Sequence, residues 1–317
     1  MLFDVEILKK IDEELKKYVD KNDDLYNASK HLLFAGGKRL RPYLTVITYK
    51  LKKDNVEEIL PAAAAVELIH NYTLIHDDIM DNDDERRGKP TVHVVYGEPI
   101  AILAGDLLYA KAFEAVSNIK DSKKAHDVLK VLSKACVEVC EGQAMDMKFE
   151  NYNPSMEEYL EMIRKKTGAL LEASVEIGAI MADCSEEEKN ALREYAKRIG
   201  LTFQIQDDVL DLIGDKNKIG KPVGSDIREG KKTIIVIHAL KTLDEEKKKK
   251  LLEFLGNKNI GEKEIKEAIE ILKPSIEYAK ELMKIKTEEA KNYLKIFDEE
   301  RRKVLEDLAD FIISRIH

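Results

Sequence analysis

Residues 67–93 read ELIHNYTLIHDDIMDNDDERRGKPTVH, and the spacing inside this stretch decides the fold class. At about 100° per residue, His70, Thr73, Asp77 and Asp81 fall on one helix face, with Asp77 and Asp81 about 40° apart. Leu68, Tyr72, Ile75 and Ile79 take the opposite face. An acidic stripe backed by an apolar one predicts a helix that buries one side and presents carboxylates from the other. The pattern returns in GLTFQIQDDVLD at 200–211, where Gln204, Asp207, Asp208 and Asp211 share a face of an otherwise apolar helix.

Outward from these two stretches the helical reading continues. The seven prolines leave long intervals for helices. Ser155 with Glu158, Ser185 with Glu188 and Thr242 with Glu245 have capping-box spacing. Tyr159, Met162, Ile163, Leu170, Leu171 and Val175 recur at three and four. Val92 to Tyr96 is the best strand candidate, but between Pro90 and Gly97 it reads more as a loop. About a dozen helices and no parallel-sheet alternation predict an all-α chain, with 1–317 as one domain. Two glycine- and charge-rich segments, 81–99 and 214–232, follow the aspartate clusters directly. Lys247 to Lys250 reads as a solvated helix face.

Composition narrows the classes. The chain has 317 residues and 44% apolar content, enough for a core without disulfides. Its net charge of −8 argues against general affinity for nucleic acid or anionic membranes. Cys136, Cys140 and Cys184 have no CxxC spacing and read as buried free thiols. No run approaches the roughly 18 apolar residues of a membrane span. The N-terminal MLFDVEILKK, acidic early and without an apolar core, does not read as a signal peptide. A soluble cytoplasmic protein is the expectation.

Carboxylates held together repel one another, and burying them unpaired costs several kcal/mol. Magnesium resolves this, because it takes one or two carboxylates together with phosphate oxygens and water. A lone DDxxD is more readily a solvated acidic face. Two copies in apolar contexts, each running into a basic glycine-rich loop, point instead to a clamp for a magnesium–diphosphate group. Calcium-loop geometry fails, since neither segment has glycine sixth or glutamate twelfth. Cationic groups complete the picture. In Gly36-Gly37-Lys38-Arg39-Leu40-Arg41-Pro42, Lys38 and Arg41 share a face beside flexible backbone, suited to an anion. Arg86 and Arg87 can fork phosphate oxygens or neutralise the acids before them. Lys166 and Thr167, read alone, are an ordinary solvent-facing pair.

Together GGKRLRP at 36–42, the 67–93 stretch, GEPIAILAGDLL at 97–108, KTGALLEAS at 166–174, GLTFQIQDDVLD and GKPVGSDIREGKKT at 220–233 resemble the trans-isoprenyl diphosphate synthases, the polyprenyl synthetase family. The resemblance implies an isoprenoid-synthase-type helical bundle around a central cavity, usually in a homodimer. It implies a transferase that joins isopentenyl diphosphate to dimethylallyl, geranyl or farnesyl diphosphate, with two or more Mg²⁺ ions per site. By analogy Asp77, Asp81, Asp207 and Asp211 ligate metal, Asp78 and Asp208 support them, and Lys166 joins these six in catalysis. Lys38, Arg41, His70 and Arg87 match the isopentenyl diphosphate contacts. Arg86, Lys166, Thr167, Gln204, Lys221 and Lys231 match the allylic diphosphate contacts. The lysine-bearing loop at 214–232 is the expected lid over a cation that water would quench. Bulk before the first motif limits product length in this family, which makes Tyr72 and Thr73 the chain-length positions and geranylgeranyl diphosphate, with some farnesyl diphosphate, the expected product. The helical wheel itself puts Thr73 under the metal face and Tyr72 on the opposite side, where it reads more readily as an ordinary core residue. A class I terpene cyclase would lack GGKRLRP and the second DDxxD, and a silent partner subunit would have damaged motifs.

Overall fold

The computed structural model describes residues 3–149, 152–214 and 223–314, and among them the chain is helical almost throughout. In order, the helices are α1 (Val5–Lys16), α2 (Asp24–Leu33), α3 (Leu40–Tyr49), α4 (Leu60–Met80), α5 (Val92–Tyr96), α6 (Glu98–Ser117), α7 (Ser122–Phe149) and α8 (Met156–Ile163). A π-helical turn, Arg164–Gly168, leads into α9 (Ala169–Met181) and α10 (Glu186–Ile213). The rest are α11 (Ser225–Glu229), α12 (Ile234–Thr242), α13 (Glu245–Phe254), α14 (Glu262–Tyr293) and α15 (Glu299–Ser314). The strands among the described residues are two dipeptides, β1 (Glu85–Arg86) and β2 (Lys89–Pro90), paired antiparallel.

The chain divides into two compact units. The first comprises Met1–Cys136, Leu170–Arg193 and Lys295–Leu305, the second Val137–Ala169, Glu194–Leu294 and Glu306–His317. In the first, α6 comes close to α4 at Gly105, where a Cβ would lie 2.3 Å from His76 Nε2. Ala62 to Ala65 are fully buried, as are Ala101, Ala104 and Ala112 on α6. Gly178 serves the same end on α9, since a Cβ there would come within 2.6 Å of the Thr45 carbonyl oxygen. In the second unit, Ile205, Val209 and Leu212 form a stripe at four- and three-residue spacing on α10. It packs into a core with Phe149, Tyr159, Ile163, Ile234, Leu251, Leu272 and Ile276. Each such aliphatic side chain contributes about 1.5–3 kcal/mol by leaving water.

Helix ends follow local chemistry. Ser155 and Ser185 both make reciprocal capping boxes with Glu158 and Glu188. The third expected box does not form: Thr242 closes α12, and Asp244 caps α13 by accepting from the Lys247 N–H. An ionised carboxylate is the stronger acceptor there. Val92 to Tyr96 is a helical turn rather than a strand or loop. Pro274 lies inside α14 instead of ending it. Cys136 and Cys184 are buried, but Cys140 is exposed, so the expected burial of all three thiols is corrected.

Candidate active site

Both aspartate clusters lie in the last two turns of their helices. Helix α4 stops because Asn82 turns left-handed at φ 53°, while the Asp83 N–H returns to the Asp78 carbonyl at 2.9 Å. The Asp81 N–H still reaches the Asp77 carbonyl at 2.8 Å, so Asp77 and Asp81 stand one turn apart. Unsatisfied carbonyls give a helix C-terminus partial negative charge, which disfavours added carboxylates and favours a cation. Asp78, by contrast, is buried and accepts from Arg86 Nε, and its second oxygen has no partner. Burial pushes its carboxyl above the ordinary range, opposed by the Arg86 charge.

In the second unit, α10 places Asp207 at partial exposure and Asp208 and Asp211 inside. Asp208 accepts from the Tyr159 hydroxyl and from Gln204 Nε2, the latter at 3.0 Å. Burial, reinforced by the nearby Asp226 charge, pushes its carboxyl up to about 8 despite these bonds. Asp211 accepts from the Ser225 hydroxyl and from the Asp226 N–H at 3.1 Å. Both its oxygens are therefore engaged by the start of α11. Lys231 pairs with Glu229 at 2.8 Å and lies 3.5 Å from Asp226. Lys221 lies outside the described residues, as does 215–222 of the expected lid.

Lys166 and Thr167 owe their placement to the π-turn. Lys166 Nζ donates to Asp146 on α7 at 2.5 Å, and Thr167 Oγ1 donates to Gln204 Oε1 at 2.9 Å. The turn can approach α7 because residue 142 is glycine. A Cβ there would sit 2.3 Å from the Lys166 backbone nitrogen. Asp146, Tyr159 and Gly142 were not expected from the sequence. A glycine inside a long helix is the one signal that could have marked the spot.

The cationic residues of the first unit come together around the 36–41 segment. Gly36 and Gly37 have φ of 104° and 118°, and Arg39 is left-handed at 50°. Arg41 donates to His70 Nε2 at 3.2 Å, which requires a neutral ring. Burial, joined by the Arg41 and Arg87 charges, holds this imidazole well below its usual range. Arg87 donates to the Gly36 carbonyl at 2.5 Å. Arg87 and Gly88 form the two-residue β1–β2 turn with φ of 56° and 71°, the I′ pattern that matches strand twist. Lys38 is exposed at the loop tip. Tyr72 is half-buried, its ring 5.1 Å from Tyr109 and 4.8 Å from His76, while Thr73 donates to the His70 carbonyl at 2.8 Å.

Among the described residues, no three carboxylate, imidazole or thiolate groups gather as a self-sufficient metal site. The donor set is hard oxygen in pairs, which fits a magnesium ion completed by phosphate and water rather than a protein-caged metal. An all-helical chain with paired carboxylates at two helix ends and a separate arginine–histidine group is built to handle diphosphates. The chain belongs to the polyprenyl synthetase family, whose model matches residues 22–272. It is 86% identical over 317 residues to a short chain isoprenyl diphosphate synthase of Methanocaldococcus jannaschii, covering 100% of this chain and 97% of that one. The crystal structure of a geranylgeranyl pyrophosphate synthetase from Pyrococcus horikoshii is similar, with a TM-score of 0.92 and 47% identity, covering 98% of this chain and 96% of that one. A geranylgeranyl pyrophosphate synthase from Corynebacterium glutamicum, solved with isoprenyl diphosphate and magnesium, superposes with a TM-score of 0.90 at 27% identity, over 99% and 100% of the two chains.

Proposed function

We propose that the chain is a magnesium-dependent trans-prenyltransferase that condenses isopentenyl diphosphate with allylic diphosphates to give short-chain all-trans products, chiefly geranylgeranyl diphosphate with some farnesyl diphosphate. The observation that carries this reading is the Arg41–His70–Arg87 group around the 36–39 backbone. A cyclase that ionises a single diphosphate has no use for a second cationic site. Membership of the family and the relatives' names support the same chemistry.

In this reading Asp77, Asp81 and Asp207 hold magnesium, two or more ions per site. Asp211 contributes less, since its oxygens already serve Ser225 and Asp226. When bound, the metal neutralises the departing diphosphate and so eases ionisation of the allylic C–O bond. Lys166, Thr167, Gln204, Arg86 and Lys231 bind the allylic diphosphate, and Asp78 and Asp208 orient Arg86 and Gln204. Lys38, Arg41, His70 and Arg87 hold isopentenyl diphosphate so that its double bond meets the allylic carbon. The proton then lost passes to the released diphosphate. Neutral His70 donates or accepts a hydrogen bond without adding charge.

A homodimer is part of the proposal. Val94, Val95, Ile102 and Leu103 on α5 and α6 are 40–51% exposed, an apolar face suited to a second copy of the chain. Free thiols agree with a reducing cytoplasm. No helix among the described residues is long and apolar enough to cross a membrane. Incubating the purified protein and Mg²⁺ with isopentenyl diphosphate and each primer, then chromatographing the dephosphorylated products, tests the activity. Prenyl alcohols of twenty carbons are expected. Cyclised hydrocarbons from the primer alone would overturn the reading.

A further inference from the structure

Of all the basic residues in GGKRLRP, Arg39 is the one turned inward. It is 8% exposed, and its guanidinium is spent on three different elements. Nε donates to Asp12 of α1 at 2.8 Å, NH1 to Glu67 of α4 at 2.9 Å, and NH2 to the Leu33 carbonyl ending α2 at 2.6 Å. Glu67 is 2% exposed, and its Oε1 also accepts from Asn71 Nδ2 at 3.0 Å. Asp12 is 42% exposed, so of the two ion pairs the one with Glu67 is shielded from water and salt. The loop that Arg39 anchors has an unusual backbone: Gly36, Gly37 and Arg39 all have positive φ, which costs the glycines nothing but strains Arg39. Such a loop keeps one shape only where its surroundings over-determine it.

We propose that Arg39, clamped by Glu67, is the positioning residue of the isopentenyl diphosphate half-site. It fixes the backbone between Lys38 and Arg41 without touching substrate. The inference rests on the function proposed above. Its geometry is economical: α4 carries Glu67, which locks the loop, and three residues on carries His70, which meets Arg41. Loop and helix face are thereby held in register by one buried pair.

Glu67 pairs with Arg39, and its charge also acts on Arg87. That makes the sign of the effect diagnostic. If Glu67 acted only through its field, removing its charge would leave the site more positive and tighten diphosphate binding. If it acts by positioning, binding weakens.

The test is Glu67→Gln and, separately, Arg39→Lys, whose ammonium cannot reach all three acceptors. KM is measured for each substrate with the other saturating. For both variants KM for isopentenyl diphosphate should rise about tenfold, within what a displaced contact costs, while KM for the allylic substrate and kcat stay within about threefold. A KM for isopentenyl diphosphate that is unchanged or lower, or an equal rise in both KM values, overturns the proposal. Lys38→Ala and Arg41→Ala are run beside them. If these raise KM for isopentenyl diphosphate and the first pair does not, positioning alone fails. If they too leave it unchanged, the half-site assignment has failed instead. Should Glu67→Gln not fold, Arg39→Lys and Asp12→Asn decide, with a smaller rise expected for Asp12→Asn because that contact is exposed.

Discussion

Gly142→Ala is a one-carbon change that should disable the allylic side of the site. In an ordinary helix interior it would stabilise by about 1 kcal/mol through propensity alone. Here the new Cβ would lie 2.3, 2.7 and 2.8 Å from Lys166 N, Lys166 Cα and Lys165 C, all backbone atoms. Normal contact begins near 3.4 Å, so the π-turn must retreat by about 1 Å, the difference between 3.4 and 2.3. Overpacking of that kind costs about 1–3 kcal/mol. The retreat also carries Lys166 away from Asp146 and Thr167 away from Gln204, contacts of 2.5 and 2.9 Å. A misplacement of ~1 Å at a reacting centre can cost about 10²-fold in rate. Steady-state kinetics with the allylic substrate varied should show kcat/KM down by about that factor, with KM for isopentenyl diphosphate unchanged, and the thermal midpoint should fall. A variant that is more thermostable and within threefold of parent activity would refute the steric reasoning.

Asp77→Ala and Asp207→Ala should each lower kcat by at least ~10²-fold, the scale of losing a main electrostatic stabiliser; near-parental turnover in either would remove that residue from the metal set. Tyr72→Ala should lengthen the products if the ring closes the chain pocket, whereas an unchanged chain distribution with lower stability would leave Tyr72 as packing for Tyr109. His70 gives a pH signature. Its pKa is lowered in the folded state, so as pH falls below the unfolded value near 6.5 the unfolded chain gains a proton that the native site resists. Stability should then fall by up to about 1.4 kcal/mol per pH unit until the folded pKa is passed, and His70→Gln should remove that component. Parallel denaturation curves for parent and variant between pH 6.5 and 5 would show that His70 is not strained in this way.

The sequence disclosed most where chemistry is local. Two DDxxD runs on apolar helices were legible because 3.6 residues per turn converts spacing into direction, and α4 and α10 do carry those aspartates at their ends. The Ser155 and Ser185 caps were legible for the same reason, needing only four residues each. What stayed hidden depends on partners distant in sequence. Nothing near Asp208 announces Tyr159, and nothing near Lys166 announces Asp146 or Gly142. Arg39 looks like its neighbours Lys38 and Arg41 until Glu67, 28 residues on, draws it inward. The Thr242 cap failed because a better acceptor, Asp244, stood two residues later. Pro274 falls inside a helix rather than between helices, because the missing amide can be borne within a 32-residue helix whose apolar face is packed along its length. Cys140 shares its helix with Cys136, yet 40° of rotation suffices to carry it to the surface.

A crystal structure of the protein grown with Mg²⁺ and a non-hydrolysable allylic diphosphate analogue bears on the chemistry most directly. Asp77 and Asp207 should each ligate magnesium at about 2.0–2.1 Å, with both ions bridging oxygens of the same diphosphate. Metal found at one aspartate cluster alone, with the other motif facing open solvent and no contact to the diphosphate, would contradict the shared clamp on which the proposed reaction depends.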